Sequence, residues 1–368
     1  MVSAYCLCLV LILLGTSNAQ LGGEPHDNAH PESMVSVGRA VAAAVSSVPL
    51  RNAAVPGLRM PVVGIGTGGY AFSPSQHGEI WNDTTAQKAV RKWIQLGGRR
   101  IDASYSYTDQ IGVGKAIAAA IAAGEVTREE LFVVSKVGSG GLIPGAAMGY
   151  NDTMVQIGPI LSSLQMKYVD LLLIHWPGPP GKSKDPACQG QPATFKTCRQ
   201  QTWKALQDMF KQGSTRAIGV SNFEQNHLQD IIDMKELLPS VNQVEYHPYW
   251  HEDDLVKFCQ ERNITFNGYS PMSCPDYAPP THGWSHSALQ EPVVMQIAQV
   301  HSADPSQVLL AWELAHGVVV NPRTRNPDHM TLNLQFEKVK LSTDEIAKIA
   351  AIVPPEKNKV CPDPHQYK

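Results

Sequence analysis

An acid and a phenol lie close together in the segment GGRRIDASYSY, where Asp102 ends a short apolar run and Tyr107 follows in a loop. Two further ionisable residues follow later apolar runs: Lys136 in VSKVG and His175 in LIHWPG. A phenol has an ordinary pKa of about 10, so it exchanges protons poorly at neutral pH. An adjacent ammonium favours the phenolate and lowers that pKa. These residue types suit proton transfer at a carbonyl oxygen, with Lys136 assisting Tyr107, Asp102 holding Lys136 and His175 orienting the substrate.

Each of these residues stands at or just after the end of an apolar or β-branched run, and the chain repeats such runs eight times with amphipathic helical segments between them. Near-continuous apolar strands that alternate with helices predict a parallel sheet covered by helices. Eight such units predict a single-domain (β/α)8 TIM barrel, whose site lies at the carboxyl ends of the strands. The runs cover residues 61–68, 99–104, 131–137, 169–176, 215–222, 240–246, 264–270 and 317–323.

A doubly wound nucleotide-binding sheet is the competing architecture, because Gly64, Gly66 and Gly69 fit GxGxxG. That fingerprint requires a helix that opens at the last glycine. Residues 70–79 contain Pro74 and are typical of a loop instead. We therefore expect the glycines to let the first strand end pass close to a ligand.

The segment GGRRIDASYSYTDQ resembles the motif GxRxIDTAxxYxNE of the aldo-keto reductases, and the resemblance runs from about Gly57 to Asp363. The four residues named above fall on the family's catalytic tetrad. The resemblance implies a (β/α)8 barrel and hydride transfer between a nicotinamide cofactor and an aldehyde or ketone. The motif departs from the family in Ala103-Ser104 and Asp109-Gln110, which replace Thr-Ala and Asn-Glu. We expect these replacements to affect the packing of the loop.

The resemblance also implies which residues bind the nicotinamide. Ser221, Asn222 and Gln243 match residues that hydrogen-bond its carboxamide, and Tyr269 matches the aromatic residue that stacks on its ring. An aromatic residue at a strand end is also typical of simple packing, so the role of Tyr269 depends mostly on the resemblance. The family's cofactor-lining loops contain Gly66, Thr67, Ser270 and Met272 in this chain.

The adenine end of the cofactor site is less well matched, because the family motif IPKSxxxxRIxxN reads VNPRTRNPDHMTLN here. Arg323 takes the lysine position, Thr324 the serine position and Asn333 the asparagine position, whereas His329 replaces an arginine. An arginine can bind phosphate bidentately, but a neutral histidine contributes little charge. We therefore expect NADPH (NADP+) with Arg323 carrying most of the discrimination, and NADH is the alternative cofactor.

Substrate contacts are expected beside the tetrad. Gly68 replaces the tryptophan that many relatives place after Gly-Thr, which indicates an altered or wider pocket wall. His175 and Trp176 are expected to contact the substrate, although Trp176 is nearly as typical of a structural residue. Tyr277 and Trp284 are expected to contribute from CPDYAPPTHGWSHSALQ. The sequence does not indicate which carbonyl is the substrate.

The apolar run CLCLVLILLG at residues 6–15 is followed by small residues, as in a signal peptide, although no Lys or Arg precedes it. Spanning a bilayer needs roughly 20 residues, so the run is too short for a membrane span. We predict a cleaved signal peptide over 1–19, a flexible lead-in over 20–56 and the barrel over 57–368. The predicted compartment is the secretory pathway, secreted or lumenal, or the cytoplasm if the signal is not used.

Sequons agree with that compartment, although such triplets also arise by chance. They begin at Asn82, Asn151 and Asn263. Removing the signal leaves five cysteines, which have no metal-ligand spacing. Cys188 and Cys198 lie in a Pro/Gly/Lys-rich stretch, residues 177–201, that we predict to be a loop on the site face. They could bridge in an oxidising compartment, and the sequence leaves the bridge and free thiols equally open.

Composition excludes some functions. A net charge of −3 gives no basic excess for binding nucleic acid.

The alternative function is a barrel that binds nicotinamide without turnover, in a regulatory or structural role. The complete tetrad argues against it. A metal-dependent hydrolase is suggested only by 13 histidines, because Gly66-Thr67-Gly68 stands where such barrels need an HxH pair. We expect no metal, a small-molecule carbonyl partner and a monomer.

Overall fold

A computed structural model describes residues 46–68, 81–138, 147–178, 183–189, 194–273, 287–355 and 359–367. The strands in these ranges are β1 (Ser47–Pro49), β2 (Arg59–Pro61), β3 (Gly64–Gly66), β4 (Arg100–Asp102), β5 (Phe132–Val137), β6 (Leu171–Ile174), β7 (Ile218–Ser221), β8 (Val241–Glu245), β9 (Thr265–Tyr269) and β10 (Val319–Asn321). The α-helices are α1 (Asp83–Gln95), α2 (Gln110–Ala122), α3 (Tyr150–Met154), α4 (Ile157–Leu164), α5 (Phe195–Lys211), α6 (Gln225–Ile232), α7 (Asp253–Gln260), α8 (Pro292–Val300), α9 (Pro305–Ala315), α10 (Pro327–Leu334) and α11 (Thr343–Ala350).

Strands β3 to β10 form one parallel eight-stranded sheet in chain order. A parallel bridge between Val63 and Val320 brings the first and last of these strands together, and the Gly66 N–H donates to the carbonyl of Pro322 at 2.9 Å. The sheet is therefore a barrel of eight parallel strands with helices between them. This confirms the predicted (β/α)8 architecture, and each predicted apolar run contains one strand.

Helix α1 shows how the sequence sets the limits of the outer helices. Its cap is Asn82, whose side chain accepts a hydrogen bond from the Thr85 N–H at 3.0 Å. Val90 and Trp93 on one face are buried against the barrel. The chain leaves the helix at Gly97, whose φ of 98° lies in the left-handed region that favours glycine. The helix therefore begins after an asparagine cap and ends where a glycine can turn the chain.

The barrel strands are buried along their length because helices cover one face and the barrel interior the other. Strands β4, β5, β6, β7 and β8 contain only buried residues. Among them are four charged side chains, Arg100, Asp102, Lys136 and Glu245. A buried charge is costly unless a neighbouring group pairs with it.

The end of the predicted flexible lead-in is part of the fold. Strand β1 pairs antiparallel with β2, and Leu50 and Ala53 are buried. The Asn52 side chain donates to the carbonyl of Arg262 at 2.7 Å, just before β9 begins. Residues 46–56 therefore cover the amino ends of the strands, opposite the site. These residues belong to the predicted lead-in, and its apolar side chains close the bottom of the barrel.

Cys188 and Cys198 form a disulfide with their Cα atoms 5.0 Å apart. Of the two possibilities that the sequence left open, a bridge or free thiols, the structure has the bridge. The predicted signal peptide over 1–19 and the third glycine of GxGxxG, Gly69, lie outside the described residues. In the part of the chain that is described, no helix is long and apolar enough to cross a membrane.

Candidate active site

A chain of buried polar contacts connects the ends of β4 and β5. The Lys136 ammonium donates to the Asp102 carboxylate, to the carbonyl of Ala103 at 3.0 Å and to the Tyr107 hydroxyl at 3.3 Å. Asp102 and Lys136 are 3% and 1% exposed, whereas Tyr107 is only partly buried. The structure therefore brings together three of the four predicted tetrad residues, and the phenol is the most exposed of the three.

Burial and the neighbouring charges shift the pKa values of Lys136 and Tyr107. Burial alone would lower the pKa of Lys136, but the attraction of Asp102 and Tyr107 outweighs it, so the pKa lies above its ordinary value. Burial raises the pKa of Tyr107 to about 12, although the ammonium of Lys136 acts in the opposite direction. The sequence predicted a phenol pKa lowered toward neutrality. That prediction is wrong in its net direction, because desolvation outweighs the charge of Lys136.

His175 follows β6 and completes the tetrad. Its ring lies 5.6 Å from the Tyr107 ring, centroid to centroid, and nearly perpendicular to it. Nδ1 lies 3.1 Å from the Ser104 hydroxyl and 3.2 Å from the Ser106 hydroxyl. Burial and then the charge of Lys136 lower the pKa of His175 well below its ordinary value. The imidazole is therefore neutral, and among the described residues no hydrogen bond occupies Nε2.

Uncharged side chains at the ends of β7, β8 and β9 form a second hydrogen-bonded group. Gln243 donates to the Asp102 carboxylate at 2.7 Å, which connects this group to the tetrad. Asn222 donates to the carbonyl of His175 at 2.9 Å and accepts from the Tyr269 hydroxyl at 2.7 Å. The Ser221 hydroxyl donates to the carbonyl of Gln243 at 2.8 Å. All four residues predicted to hold the nicotinamide therefore lie beside the tetrad.

This group of neutral amides and hydroxyls suits an uncharged carboxamide. The Gln243 amide nitrogen is used by Asp102 and Asn267, and within the described residues its oxygen makes no hydrogen bond. Tyr269 is partly exposed, so part of its ring is accessible to a stacking partner. The backbone of Asn222 (φ 62°) and of Ser270 (φ 57°) is left-handed, a conformation that clusters at functional sites.

The loop after β3 contacts Tyr107 directly. The Thr67 N–H and hydroxyl donate to the carbonyl of Asp102 at 3.0 and 3.1 Å, next to the buried Gly66. A side chain at Gly68 would begin 2.5 Å from the Tyr107 ring. The absence of a side chain at Gly68 therefore leaves room for the Tyr107 ring. Met272, predicted with Ser270 to line the cofactor, is partly buried after β9.

The predicted phosphate-binding residues lie after β10 and on α10. Arg323 donates to the carbonyl of Gly68 at 2.6 Å, so its side chain reaches the loop after β3. Thr324 lies 3.4 Å from the ring of His329, which is exposed, whereas Asn333 is buried. Within the described residues, no hydrogen bond connects Thr324, His329 or Asn333 to the tetrad. These residues thus lie apart from the tetrad, and Arg323 connects the segment after β10 to the loop after β3.

Among the predicted substrate contacts, Trp176 is partly buried and stacks on His175 with the ring centroids 6.5 Å apart. Tyr277 and Trp284 lie outside the described residues. Of the predicted substrate contacts, His175 and Trp176 are therefore the two that the structure describes.

Sequence reasoning missed three polar residues around the tetrad. Ser104 and Ser106 hold the His175 ring, and Asp109 is fully buried with its Oδ1 3.5 Å from the Thr67 hydroxyl. Burial raises the pKa of Asp109 to about 7, and Oδ2 has no partner among the described residues. The departures from the family motif at 104 and 109 were the available signal, and we interpreted them only as packing changes.

Comparison with known proteins gives the same family for most of the chain. Residues 64–354 match the model of the aldo/keto reductase family. The uncharacterized oxidoreductase YtbE of Bacillus subtilis is 32% identical over 311 residues, which are 84% of this chain and 95% of that protein. The glyoxal reductase of the same species is 33% identical over 310 residues, with 84% and 94% covered.

Solved structures agree with the sequence relatives. An aldo-keto reductase of Bombyx mori in complex with NADP superposes with a TM-score of 0.69 and 27% identity, covering 83% of this chain and 92% of that one. The architecture and the sequence are therefore similar to the same group of proteins.

Proposed function

Because the chain belongs to the aldo/keto reductase family, whose members are NAD(P)H-dependent oxidoreductases, we propose that it reduces an aldehyde or a ketone to the alcohol with NADPH. The observation that carries the proposal is the buried contact chain from Asp102 through Lys136 to Tyr107. Such a chain positions one proton donor and compensates the charge that proton donation leaves behind.

NADPH, when bound, would supply the hydride. The Tyr107 hydroxyl would give its proton to the substrate oxygen, and the ammonium of Lys136, 3.3 Å from that hydroxyl, would stabilise the phenolate. Asp102 would keep Lys136 charged and in place. The neutral His175, with Nδ1 held by two serine hydroxyls, would orient the substrate oxygen through Nε2.

The cofactor proposal is supported by the neutral group at Ser221, Asn222 and Gln243, which fits a carboxamide, and by the partly exposed Tyr269. The Bombyx mori relative that was solved with NADP supports the same cofactor class. At the adenine end of the proposed cofactor site, Thr324 precedes α10 and His329 lies in its first turn. The N–H groups at the start of a helix favour anions.

We propose that Arg323 discriminates NADPH from NADH, because its guanidinium can bind a 2′-phosphate and methionine cannot. Arg323→Met is expected to raise the KM for NADPH by about tenfold or more and to leave the KM for NADH nearly unchanged. Initial rates with both cofactors measure this. An unchanged NADPH/NADH preference would show that Arg323 serves only the loop at Gly68.

The substrate is expected to contact His175 and Trp176, with Tyr277 and Trp284 as further contacts. The experiment that tests the proposal is NADPH absorbance with a panel of aromatic, sugar-derived and steroidal carbonyls. Oxidation of NADPH by at least one of them is expected. NADPH binding without turnover on any reactive aldehyde would favour the non-catalytic, regulatory or structural barrel.

We also propose that the chain matures in the secretory pathway, with residues 1–19 removed as a signal peptide. The disulfide between Cys188 and Cys198 supports an oxidising compartment. The sequon asparagines Asn82, Asn151 and Asn263 are all exposed, as glycosylation requires. Amino-terminal sequencing of protein from its native source tests the proposal: a start at Gln20 is expected, and a start at Met1 contradicts it.

A further inference from the structure

Three side chains from separate parts of the chain meet on the site face of the barrel. Glu224 precedes α6, Glu252 precedes α7 and His365 belongs to the C-terminal segment 359–367. One oxygen or nitrogen atom from each lies within 4.8 Å of the others. Glu224 and Glu252 follow β7 and β8, so the cluster lies at the carboxyl ends of the strands, as the tetrad does.

The two carboxyl groups of the cluster are incompletely paired. Glu224 is only 6% exposed, and its Oε1 has no hydrogen-bond partner among the described residues. Oε2 of Glu252 is also buried without a partner there. One oxygen of each carboxyl group nevertheless lies within 4.8 Å of the other. Two ionised carboxylates at this separation repel each other, and a proton or a cation between them would relieve the repulsion.

The histidine of the cluster is oriented as metal-binding histidines are. Its Nδ1 lies 2.7 Å from the Asp363 carboxylate, and its Nε2 lies 3.6 Å from Oε2 of Glu224. A carboxylate on one ring nitrogen fixes the ring and leaves the other nitrogen for a metal ion. Asp363 therefore directs Nε2 of His365 toward the two glutamates.

The surroundings of the cluster carry an excess of negative charge. Glu245, at the end of β8, accepts hydrogen bonds from the N–H groups of Val360 and Cys361 at 2.6 and 2.8 Å. Lys359 is the nearby lysine in the part of the chain that the structure describes, and its ammonium lies 4.1 Å above the Trp250 ring and 3.9 Å from Glu245. Within the described residues, the two cluster glutamates, Glu245 and Asp363 make four carboxylates against this one lysine. A bound cation would offset this imbalance.

We propose that Glu224, Glu252 and His365 bind one zinc ion, which connects the C-terminal segment to the loops that follow β7 and β8. Zinc accepts both carboxylate oxygen and imidazole nitrogen, and three protein ligands leave its fourth position for water. Calcium and magnesium prefer oxygen ligands throughout and fit this set less well. The site does not include the tetrad, so the proposal is independent of the proposed reductase function.

Calorimetric titration of the chelator-treated full chain with ZnCl2 tests the site. One zinc ion per chain is expected, with the affinity at least about tenfold lower in Glu252→Gln and in His365→Gln. These two positions are chosen because Glu224 also caps α6, so its replacement could disturb the fold. The control is His301→Gln, which removes an imidazole that pairs with Glu345 at 2.9 Å outside the cluster.

Two results would overturn the proposal. If zinc does not bind, or binds equally well in Glu252→Gln and His365→Gln, the two glutamates share only a proton. Hydrogen exchange of the Val360 and Cys361 amides provides a second readout, which does not depend on enzymatic activity. Zinc is expected to slow this exchange in the wild type and not in His365→Gln, and equal exchange with and without zinc would contradict the connection to the C-terminal segment.

Discussion

The phenol of Tyr107 is protonated at neutral pH, because burial raises its pKa to about 12 even beside Lys136. This state suits a proton donor in the reductive direction, which needs the proton before the reaction and a stabilised phenolate after it. The residue types and their positions at strand ends were sufficient to predict that Asp102, Tyr107, Lys136 and His175 converge, and the resemblance to the family implied their catalytic roles. The direction of the pKa shift was not predictable, because it depends on how completely the fold removes water from the phenol.

The serines that hold His175 provide the first prediction at this scale. The double variant Ser104→Ala, Ser106→Ala removes both partners of Nδ1, so the ring should sample unproductive orientations. We expect kcat/KM for the carbonyl to fall by about tenfold, with NADPH affinity retained. Steady-state kinetics and NADPH fluorescence titration measure the two effects. Ser162→Ala, on the exposed face of α4, is the control, and equal kcat/KM in all variants would exclude the orienting role.

Asp109 provides a prediction about pH. Its pKa rises from 3.8 to about 7 on folding, so the folded chain keeps a proton that the unfolded chain releases as the pH rises above about 4. The free energy of unfolding should therefore fall between pH 4 and 7 through this group. Asp109→Asn keeps the shape without the titration. It should stabilise the protein at pH 8 more than at pH 5, by roughly 1 to 3 kcal/mol. Urea unfolding at both pH values tests this, and an equal effect at both would contradict it.

At the scale of elements, the helices were predicted less accurately than the strands. Residues 177–201 were predicted to form a loop, but α5 already begins at Phe195. The segment FKTCRQQ has no glycine or proline, so nothing in it opposes a helix, and the disulfide at Cys198 holds its first turns to the preceding loop. The short apolar runs identified the strands because burial on both faces requires them.

Close helix packing supports a prediction at this scale. A methyl group at Gly112 in α2 would lie 2.0 Å from the carbonyl oxygen of Asp83 in α1. Gly112→Ala should therefore destabilise the fold by about 1 to 3 kcal/mol, since backbone cannot move away cheaply. Gly158→Ala in α4 is the matched control, because nothing lies within 4 Å of its new methyl. Urea unfolding compares the variants, and equal stability of both would contradict the packing account.

At the scale of the whole molecule, the repeat of eight strand and helix units predicted the barrel, and with it the convergence of Asp102, Lys136 and His175. Contacts between distant segments were not predictable. Residues 46–56 cover the amino ends of the strands, and His365 lies near Glu224. Both contacts depend on tertiary packing that no local sequence pattern encodes. The proposed zinc ligands were missed for the same reason, since metal motifs are identified by short spacings.

The most direct test of the account is Tyr107→Phe, which removes the proton donor and keeps the ring. Turnover of a carbonyl that oxidises NADPH should fall by about 10² to 10⁴, with NADPH binding retained, because the phenol acts on the substrate oxygen. Tyr105→Phe, at the neighbouring partly buried tyrosine, should leave the rate nearly unchanged. The measurement is kcat from NADPH absorbance for wild type and both variants. Undiminished turnover in Tyr107→Phe would contradict the proposed role of Tyr107.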